Sequence, residues 1–485
     1  MARQPFFLLL LPVFFVVHGY REHLGFVSGR DALLLALAYL AVALVLAGLC
    51  WFLYRDKIKA SVLGFCLLAA QFFFGSVHDL VKEQFPGSFL TRYSFLLPFG
   101  FGLIVMLAVW LKKTRRPLLK LSTYLNLLFG LLVLSEAALL LLHRSPAEAV
   151  DAGEELKPCR GCATPDIYLV VLDEYAGRTA LEEQFGYDNR SFEEQLGQRG
   201  FYVVDESRSN YNFTPYSVAS LLNMNYPVLD MKAGNPGNIH HCYNLIGNSS
   251  VVGFLQKQGY RFFNHSIFDF REAPAFRRNG FLPSGTRFIT SQTLLSRVES
   301  DLRADLLTGK LKLDALLKPV TYEHLHNNRA ILSKTEELAA QRLSFPKLVY
   351  AHLMMPHYPY YFDSSGRELP FEELTGEGSH NKSNYVQYLR YCNDRILQLV
   401  DRIMKNSPAP PIIILVSDHG FRSYRQQQDR SLYFMNLSAI YLPSKNYSGF
   451  YDGLSNVNLF RVLLNQQFSQ NLALRKDSTV FLWKE

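Results

Sequence analysis

The chain has 485 residues, of which 49% are hydrophobic, and its formal net charge is +8. The charge is unevenly distributed, because residues 1–145 hold 14 Lys and Arg against 6 Asp and Glu, whereas the remainder holds 36 of each sign. The basic excess therefore belongs to the most apolar part of the chain. It indicates membrane topology and says nothing about nucleic acid, which we do not expect as a partner.

Five apolar segments, separated by short charged breaks, fill the first 145 residues. They are 6–18, 31–53, 59–79, 94–111 and 121–143. Four of them approach or exceed the roughly 20 residues that a helix needs to cross a bilayer. The first is shorter and follows Arg3, as in a signal peptide, but it lacks a small-residue cleavage site, which favours an uncleaved helix. We therefore predict a bundle of about five transmembrane helices.

Two of the breaks between these segments are strongly basic. Residues 112–116 carry four cations in five positions, and residues 55–59 carry three. The positive-inside rule places both breaks in the cytoplasm, together with the N-terminus. The sequence therefore predicts a multi-pass inner-membrane protein. Its transmembrane domain spans 1–145, a linker follows over 146–164, and a catalytic domain over 165–485 lies outside the cytoplasm, on the periplasmic side.

Glu136 lies inside the last apolar segment. An ionisable group is costly at that depth and is usually functional or paired. Two interpretations remain open. Either the carboxyl group lies near the interface or hydrogen-bonds to a neighbouring helix, or it contacts a headgroup or substrate.

Cys159 and Cys162 form a CxxC just beyond the last apolar segment. This spacing is typical of a metal knuckle, a redox pair or a local disulfide. No second CxxC accompanies it, which argues against zinc, and an oxidising compartment favours the disulfide. Cys242 and Cys392 are too far apart in sequence for the pattern to pair them.

Short apolar runs typical of buried strands recur through the outer domain, and stretches with helical spacing lie between them. The predicted strands are 165–172, 200–205, 260–264, 347–352 and 411–416, and the predicted helices include 191–197, 251–257 and 384–404. This alternation predicts an α/β fold with a mostly parallel sheet. Residues 270–345 lack the pattern and are expected to be irregular decoration of the core.

Charged residues follow two of the predicted strands at the point where each strand ends. The first strand runs into Asp173 and Glu174, and the last runs into a Ser-Asp-His-Gly sequence that contains Asp418 and His419. In such sheets, ligands bind at the carboxyl ends of the strands. Each pair alone is also typical of a helix cap or a turn. Together they offer oxygen and nitrogen ligands without a thiolate, which suits one divalent ion of Zn, Mn or Mg.

Thr214 precedes Pro215 and an apolar helical stretch. The pattern predicts a helix start with Thr214 at the N-cap and Pro215 at the first helical position. Helix N-termini also bind anions such as phosphate or sulfate, and a hydroxyl beside a divalent metal can act as an alkoxide nucleophile. Both the cap and the nucleophile remain open on this pattern.

Two histidines are associated with the predicted strand at 347–352. His352 ends that strand, and His357 lies on the following loop between two prolines. A rigid loop suits a histidine that contacts substrate or donates a proton, although a histidine packed on tyrosines is a common alternative. We take both as candidate substrate-binding residues and His357 also as a candidate catalytic residue.

The order and spacing of these motifs resemble the alkaline phosphatase superfamily in its sulfatase-like branch. The resemblance covers about residues 165–470. Its motifs are 165–174 as the opening strand, 214–222 as the nucleophile helix, and 356–359 and 417–420 as the later active-site segments. The N-terminal helices joined to such a domain resemble lipoteichoic acid synthases and phosphoethanolamine transferases.

This resemblance implies a divalent metal ion held by four residues, with Glu174 as a further or second-shell ligand. The four are Asp173, Thr214, Asp418 and His419. It also implies that Thr214 is the nucleophile and that His357 contacts substrate. The chain departs from the sulfatase pattern Cys-x-Pro-Ser-Arg, because it has a threonine and lacks the arginine, which argues against sulfate-ester hydrolysis. No second full ligand set is evident in the sequence, which favours one metal ion over two.

The sequence thus predicts a metal-dependent transferase that moves a phospho-headgroup of the phosphoethanolamine or phosphoglycerol type. The donor is a membrane phospholipid, the intermediate a phospho-threonine, and the acceptor an envelope glycan or lipid. The alternatives are a metal-dependent phosphodiesterase, phosphatase or sulfatase-like hydrolase, and a catalytically silent envelope sensor.

Overall fold

The structure, a computed structural model, describes most of the chain. The described residues are 4–24, 27–142, 156–229, 236–271, 273–276, 286–307, 314–375, 381–422 and 429–482. The first part of the predicted linker, 146–155, lies outside them. The chain divides into two compact units, which we call the helical unit (Met1–Glu148 and Gly280–Leu311) and the sheet unit (Ala149–Asn279 and Lys312–Glu485).

The elements are numbered in chain order. The helices are α1 Phe7–Glu22, α2 Gly29–Tyr54, α3 Lys57–Gln84, α4 Tyr93–Lys113, α5 Leu119–Leu142, α6 Arg178–Phe185, α7 Arg190–Gln198, α8 Thr214–Asn223, α9 Pro236–Gly247, α10 Ser250–Lys257, α11 Arg287–Thr290, α12 Leu294–Leu307, α13 Asp314–Thr321, α14 Glu323–Ala340, α15 Phe371–Thr375, α16 Lys382–Asn406 and α17 Asn456–Phe468. The strands are β1 Ile167–Leu172, β2 Tyr202–Val203, β3 Arg261–His265, β4 Lys347–Leu353, β5 Ile412–Ser417 and β6 Ser438–Tyr441. Short 3₁₀ turns cover Phe89–Thr91 and Arg430–Tyr433.

The helical unit contains the predicted apolar helices. Within the described residues, four helices, α2 to α5, are long and apolar enough to cross a membrane. The first apolar segment forms α1, which has 16 residues and falls short of that length. Its buried side chains, which include Phe7, Leu11 and Phe15, pack against α2, α3 and α5. The prediction of apolar helices is therefore confirmed, with four rather than five of spanning length.

Glu136 of α5 is paired with α1. Its Oε1 lies 2.9 Å from Nδ1 of His18, and its Oε2 accepts a 2.5 Å hydrogen bond from Nε of Arg21. The residue is only 8% exposed, so these partners satisfy a carboxyl group that would otherwise be costly to bury. The structure favours the interpretation in which Glu136 hydrogen-bonds to a neighbouring helix.

A segment from the later part of the chain belongs to the helical unit. The backbone N–H of Gly75 in α3 donates to the carbonyl oxygen of Gln292 at 2.8 Å, and Arg297 of α12 pairs with Asp79 of α3. Ile289 of α11 is buried against Gly19 of α1, where a Cβ would meet its side chain at 2.8 Å. The close approach of α11 and α12 therefore depends on glycines in α1 and α3.

The sheet unit is built on one six-stranded sheet of the described strands, in the order β2-β6-β5-β1-β4-β3. β5, β1, β4 and β3 are mutually parallel, whereas β6 and β2 pair antiparallel at one edge. β1, β4 and β5 are buried along their whole length, as expected of strands covered on both faces. The predicted α/β fold with a mostly parallel sheet is confirmed.

Two details of the prediction are wrong. Residues 270–345 are not irregular, because within the described residues they hold α11 to α14. The longest of these, α14, buries Leu325, Ile331, Leu332 and Leu338, which recur at helical spacing. The edge strand β2 has two residues rather than the predicted six, since it pairs only with the short antiparallel β6.

The cysteine pattern resolves into one bonded pair. Cys159 and Cys162 form a disulfide at the start of the sheet unit. Cys242 and Cys392 are buried free thiols. Of the three interpretations of the CxxC, the structure has the local disulfide.

Candidate metal centre and nucleophile

Three adjacent parallel strands bring the predicted ligands together. β5, β1 and β4 are in register, so that Leu172 lies beside both Ser417 and Leu353. Asp173 directly follows β1, Asp418 directly follows β5, and His352 occupies the next-to-last position of β4. All three side chains are buried. The carboxyl edge of the sheet thus gathers two carboxylates and an imidazole that are far apart in sequence.

These side chains form a group that could hold a metal ion. One ligand atom from each of Asp173, His352 and Asp418 lies within 4.8 Å of the others. His419 adjoins the group, with its Nε2 3.4 Å from Oδ2 of Asp418 and 3.9 Å from Oδ1 of Asp173. His352, which the sequence suggests as a substrate contact, therefore lies with the predicted metal ligands.

Two carboxylate oxygens of the group have no hydrogen-bond partner among the described residues. They are Oδ1 of Asp173 and Oδ2 of Asp418, and both are buried. A buried carboxylate oxygen without a partner costs free energy unless a cation compensates it. The orphaned oxygens and the oxygen–nitrogen donor set therefore fit a divalent cation.

The electrostatics of the two carboxylates differ. Burial raises the pKa of Asp418, and the nearby negative charge of Asp173 raises it further. Burial also opposes ionisation of Asp173, but His357 and His352 outweigh it and hold the pKa of Asp173 below its ordinary value. Without a cation, the group therefore favours one ionised carboxylate over two.

The two histidines of the group are oriented by their Nδ1 atoms. Nδ1 of His419 lies 2.8 Å from the carbonyl oxygen of Gly420, to which it donates, so its Nε2 carries a lone pair toward the carboxylates. Nδ1 of His352 lies 3.0 Å from the hydroxyl of Tyr350, and its Nε2 lies 3.5 Å from Oδ2 of Asp173. A partner on the distal nitrogen is the usual arrangement for a metal-binding histidine.

The turn after β5 is held by hydrogen bonds that fix Asp418 and His419. The Ser417 hydroxyl donates to the carbonyl oxygen of His419 at 2.7 Å, and the His419 N–H donates to Oδ1 of Asp418 at 2.9 Å. Gly420 follows, where a Cβ would lie 2.4 Å from the carbonyl oxygen of Met435. Only glycine fits this position, and this steric limit explains why a glycine ends the Ser-Asp-His-Gly sequence.

Thr214 starts α8, but its side chain does not cap the helix. The N-cap residue is Phe213, and no side-chain cap hydrogen bond is made there. The Thr214 hydroxyl instead lies 3.3 Å from Nε2 of His419. The prediction of Thr214 at the N-cap is therefore wrong, because Pro215 occupies the first turn one position later than the pattern suggests.

Polar contacts that the sequence analysis missed dock α8 onto the turn after β5. The Ser217 hydroxyl donates to the carbonyl oxygen of Asp418. The side-chain amide of Asn456, at the start of α17, donates to the carbonyl oxygen of Ser417 at 3.0 Å. Both side chains are buried, and their contacts hold Thr214 and His419 at a set separation. An isolated serine or asparagine carries no sequence signal for this role.

Glu174 adjoins the Asp173–His352–Asp418 group without belonging to it. Its backbone is left-handed, with φ of 62°, which is uncommon for a glutamate and occurs where the surroundings enforce it. Its N–H donates to Oδ1 of Asp418 at 3.1 Å, whereas its Oε1 accepts from the N–H of Arg422 at 3.0 Å. Its Oε2 lies 3.8 Å from Nε2 of His357. The structure thus brings Glu174 to the site, with its carboxylate toward His357 and Arg422.

His357 lies on the loop after β4, between the cis peptide bonds Met355–Pro356 and Tyr358–Pro359. Its Nδ1 lies 2.6 Å from the carbonyl oxygen of Tyr358, to which it donates, and its Nε2 faces Glu174. Burial lowers the pKa of His357, but the carboxylates of Asp173 and Glu174 more than offset this and raise it. The ring can therefore carry a proton near neutral pH and donate it from Nε2.

The sequence matches the family described as Sulfatase over residues 189–479. The chain belongs to the sulfatase family. The match includes Thr214, His357 and Asp418, whereas Asp173 lies before it. A search of curated proteins finds no match.

Two solved structures resemble the chain at low sequence identity. The integral membrane protein lipooligosaccharide phosphoethanolamine transferase A (EptA) from Neisseria meningitidis is 11% identical, with 97% of this chain and 96% of that chain covered and a TM-score of 0.39. The C-terminal periplasmic domain of phosphoethanolamine transferase EptC from Campylobacter jejuni is 13% identical, with 64% and 92% covered and a TM-score of 0.37.

Proposed function

We propose that the protein is a metal-dependent transferase that moves a phospho-headgroup from a membrane phospholipid through a phospho-threonine intermediate. One observation carries the proposal. The Thr214 hydroxyl, which caps nothing, lies 3.3 Å from Nε2 of His419 and next to two buried carboxylates, each with one oxygen that lacks a hydrogen-bond partner among the described residues. A hydroxyl so situated is a candidate nucleophile.

The residues that would hold the ion are Asp173, His352, Asp418 and His419, with Thr214 facing them. A divalent ion of Zn, Mn or Mg would neutralise charge on the phosphoryl oxygens and lower the pKa of the threonine hydroxyl. We assign Glu174 a different role, because its carboxylate contacts the Arg422 backbone and faces His357. It would hold the His357 imidazolium in position.

The transfer takes two steps. In the first, Oγ1 of Thr214, deprotonated to the alkoxide, attacks phosphorus and the bond from phosphorus to the lipid alcohol breaks, while Nε2 of His357 donates a proton to the leaving oxygen. In the second, a hydroxyl of the acceptor attacks the phospho-threonine and gives its proton to His357, while the bond from phosphorus to Oγ1 breaks and Thr214 leaves as the alkoxide. His357 thus acts as acid and then as base, which its raised pKa permits.

The helical unit supports a lipid donor and an envelope acceptor. Its four apolar helices suit a membrane anchor, and the basic residues at 55–59 and 112–116 favour an extracytoplasmic sheet unit. We test this topology with reporters fused after the last residue. A reporter that works only outside the cytoplasm should be active and a cytoplasmic one silent. The opposite pattern would exclude an envelope glycan or lipid as the acceptor.

A hydrolase is the second candidate, and the match to the Sulfatase family supports it. Water would take the place of the acceptor in the second step, with the same residues. Lipid and glycan mass spectrometry on cells that contain the protein, lack it, or carry Thr214→Ala separates the two. A transferase adds the mass of one headgroup to an acceptor, and a hydrolase only depletes the donor. A headgroup mass that persists with Thr214→Ala would contradict the phospho-threonine.

A further inference from the structure

Arg422 is held beside the candidate nucleophile Thr214 by contacts that leave its Nε and Nη2 donors without a hydrogen-bond partner among the described residues. It lies three residues after His419, on the segment that follows the turn. Its backbone N–H donates to Oε1 of Glu174 at 3.0 Å, and its Nη1 donates to the carbonyl oxygen of Asn212 at 3.1 Å. The guanidinium carbon stands 4.5 Å from the ring centroid of Phe213. Since Asn212 and Phe213 immediately precede Thr214, the cation is fixed next to the threonine.

The charge of Arg422 is not neutralised by a carboxylate in the part of the chain that the structure describes. Some arginines of the sheet unit do have such partners: Arg178 pairs with Glu193 and Asp205, and Arg199 pairs with Asp401. Arg422 makes a single side-chain hydrogen bond, from Nη1, among the described residues. Its Nε and Nη2 donors are therefore available to a ligand, although the side chain is partly buried.

An arginine with free donors beside a nucleophile suits a tetrahedral oxyanion. The guanidinium fork matches the oxygens of phosphate, and its planar face stacks on aromatic rings such as Phe213. The group that Thr214 attacks must lie next to the Thr214 hydroxyl, and hence close to the backbone that Arg422 contacts. The positive charge of Arg422 also acts on His357, where it partly offsets the carboxylates that raise the pKa of the ring.

We infer that Arg422 is a substrate-binding residue that donates from Nε and Nη2 to a non-bridging oxygen of the phosphoryl group attacked by Thr214. This inference rests on the proposed function and adds the anion contact that orients the phosphoryl group. It places the recognition of a phosphodiester monoanion on the segment after β5. The position in the nucleophile helix that carries arginine in the Cys-x-Pro-Ser-Arg pattern is Val218 in this chain.

The rival explanation is purely structural, with Arg422 as a strap between Glu174 and the residues before α8. Arg422→Met separates the two, because methionine keeps an apolar stem on Phe213 and the backbone N–H to Glu174 while it removes the side-chain donors. Arg422→Lys keeps the charge without the fork. Arg261→Met is the matched control, since Arg261 stacks on Phe345 at the opposite end of the sheet, at the first residue of β3.

The test is calorimetric titration of inorganic phosphate into the full-length protein in detergent with Mn²⁺ present. We expect binding by the wild type, binding about tenfold to a hundredfold weaker with Arg422→Met, an intermediate loss with Arg422→Lys, and no change with Arg261→Met. Unaltered melting temperatures would show that Arg422→Met folds. Where the melting temperature falls, Arg422→Lys supplies the comparison.

Equal phosphate affinity in Arg422→Met and wild type would overturn the inference, and so would a wild type that binds no phosphate. Binding of inorganic sulfate, but not phosphate, that depends on Arg422 would overturn the phosphoryl assignment in favour of a sulfate ester. The proposed function can fail separately. If no phospho-threonine forms and phosphate binding still depends on Arg422, the anion contact stands and the transfer mechanism does not.

Discussion

The hydroxyl of Thr214 and Nε2 of His419 lie 3.3 Å apart, although 205 positions separate them in sequence. The helix that Thr214 begins and the strand that His419 follows are docked together by Ser217 and Asn456. The threonine is therefore positioned for a partner across the site instead of its own helix. The effect of the Thr214 hydroxyl on catalysis can therefore be measured separately from its effect on the stability of α8.

Thr214→Ala should abolish turnover, by roughly three orders of magnitude or more, because the hydroxyl forms the covalent bond. It should cost little stability, since no cap hydrogen bond is lost. Ser249→Ala is the matched control: the Ser249 hydroxyl caps α10 by accepting from the N–H of Val252 at 3.1 Å. The control should lose about 0.5–2 kcal/mol of stability and keep its activity. Thermal unfolding measures the stability of the two variants, and an assay of headgroup transfer measures their activity. An active Thr214→Ala enzyme would exclude Thr214 as the nucleophile.

Asp418→Asn should weaken metal binding by at least about a hundredfold, because the variant removes a charged ligand. In wild type, a saturating ion at about 100 times its Kd should add roughly 2.7 kcal/mol of stability, which chelation removes. With chelator present, Asp418→Asn should be as stable as wild type or more so, since it relieves the repulsion between two buried carboxylates. Asp452→Asn, at an exposed site, is the control. Metal content by mass spectrometry that equals wild type would exclude Asp418 as a ligand.

His265 should make the sheet unit less stable in mild acid. Burial, aided by Lys334, lowers the pKa of His265 from 6.5 to about 4. Between these values the unfolded chain binds more protons than the folded one, so stability falls as pH drops from 6.5 toward 4. His265→Gln should remove about 1–3 kcal/mol of that loss. Melting temperatures at pH 7 and pH 4.5 test it, and equal pH sensitivity in both proteins would contradict the assignment.

Arg21 and Glu136 should be energetically coupled in the helical unit. Arg21→Met and Glu136→Gln should each lower the melting temperature, because each removes the charged hydrogen bond between Arg21 and Glu136. The double variant should recover part of the loss, with a coupling energy of about 0.5–3 kcal/mol. Additive losses would mean that the pair is not a stabilising contact. A double variant that is stable but inactive would instead point to a headgroup role.

The sequence was informative wherever one physical requirement dominates. β1 and β5 are continuous apolar runs because they are buried on both faces, and their ends locate Asp173 and Asp418. β6 was missed because its four residues, Ser-Ala-Ile-Tyr, are too short to show a period. The helices in 270–345 were not predicted, although the buried residues of α14 recur at helical intervals.

The sequence indicated which residues could form the candidate site better than it indicated how their side chains are arranged. Motifs identified Asp173, Thr214 and His419, but no periodic pattern indicates that His352 points toward Asp173 or that the Glu174 carboxylate turns toward Arg422. Those directions depend on strand register and on a left-handed backbone, which a single sequence does not encode locally. The one-residue error at the start of α8 has the same origin.

The membership of α11 and α12 in the helical unit has a practical consequence for anyone who wants a water-soluble enzyme. A fragment that begins after α5 would still contain Phe288 and Ile289, which pack among the apolar residues of α1 to α5. Without those helices, the two side chains would expose an apolar patch to solvent, and such patches promote aggregation. Soluble expression should therefore require two changes. The N-terminal helices must be removed, and residues 280–311 must be replaced by a short polar linker.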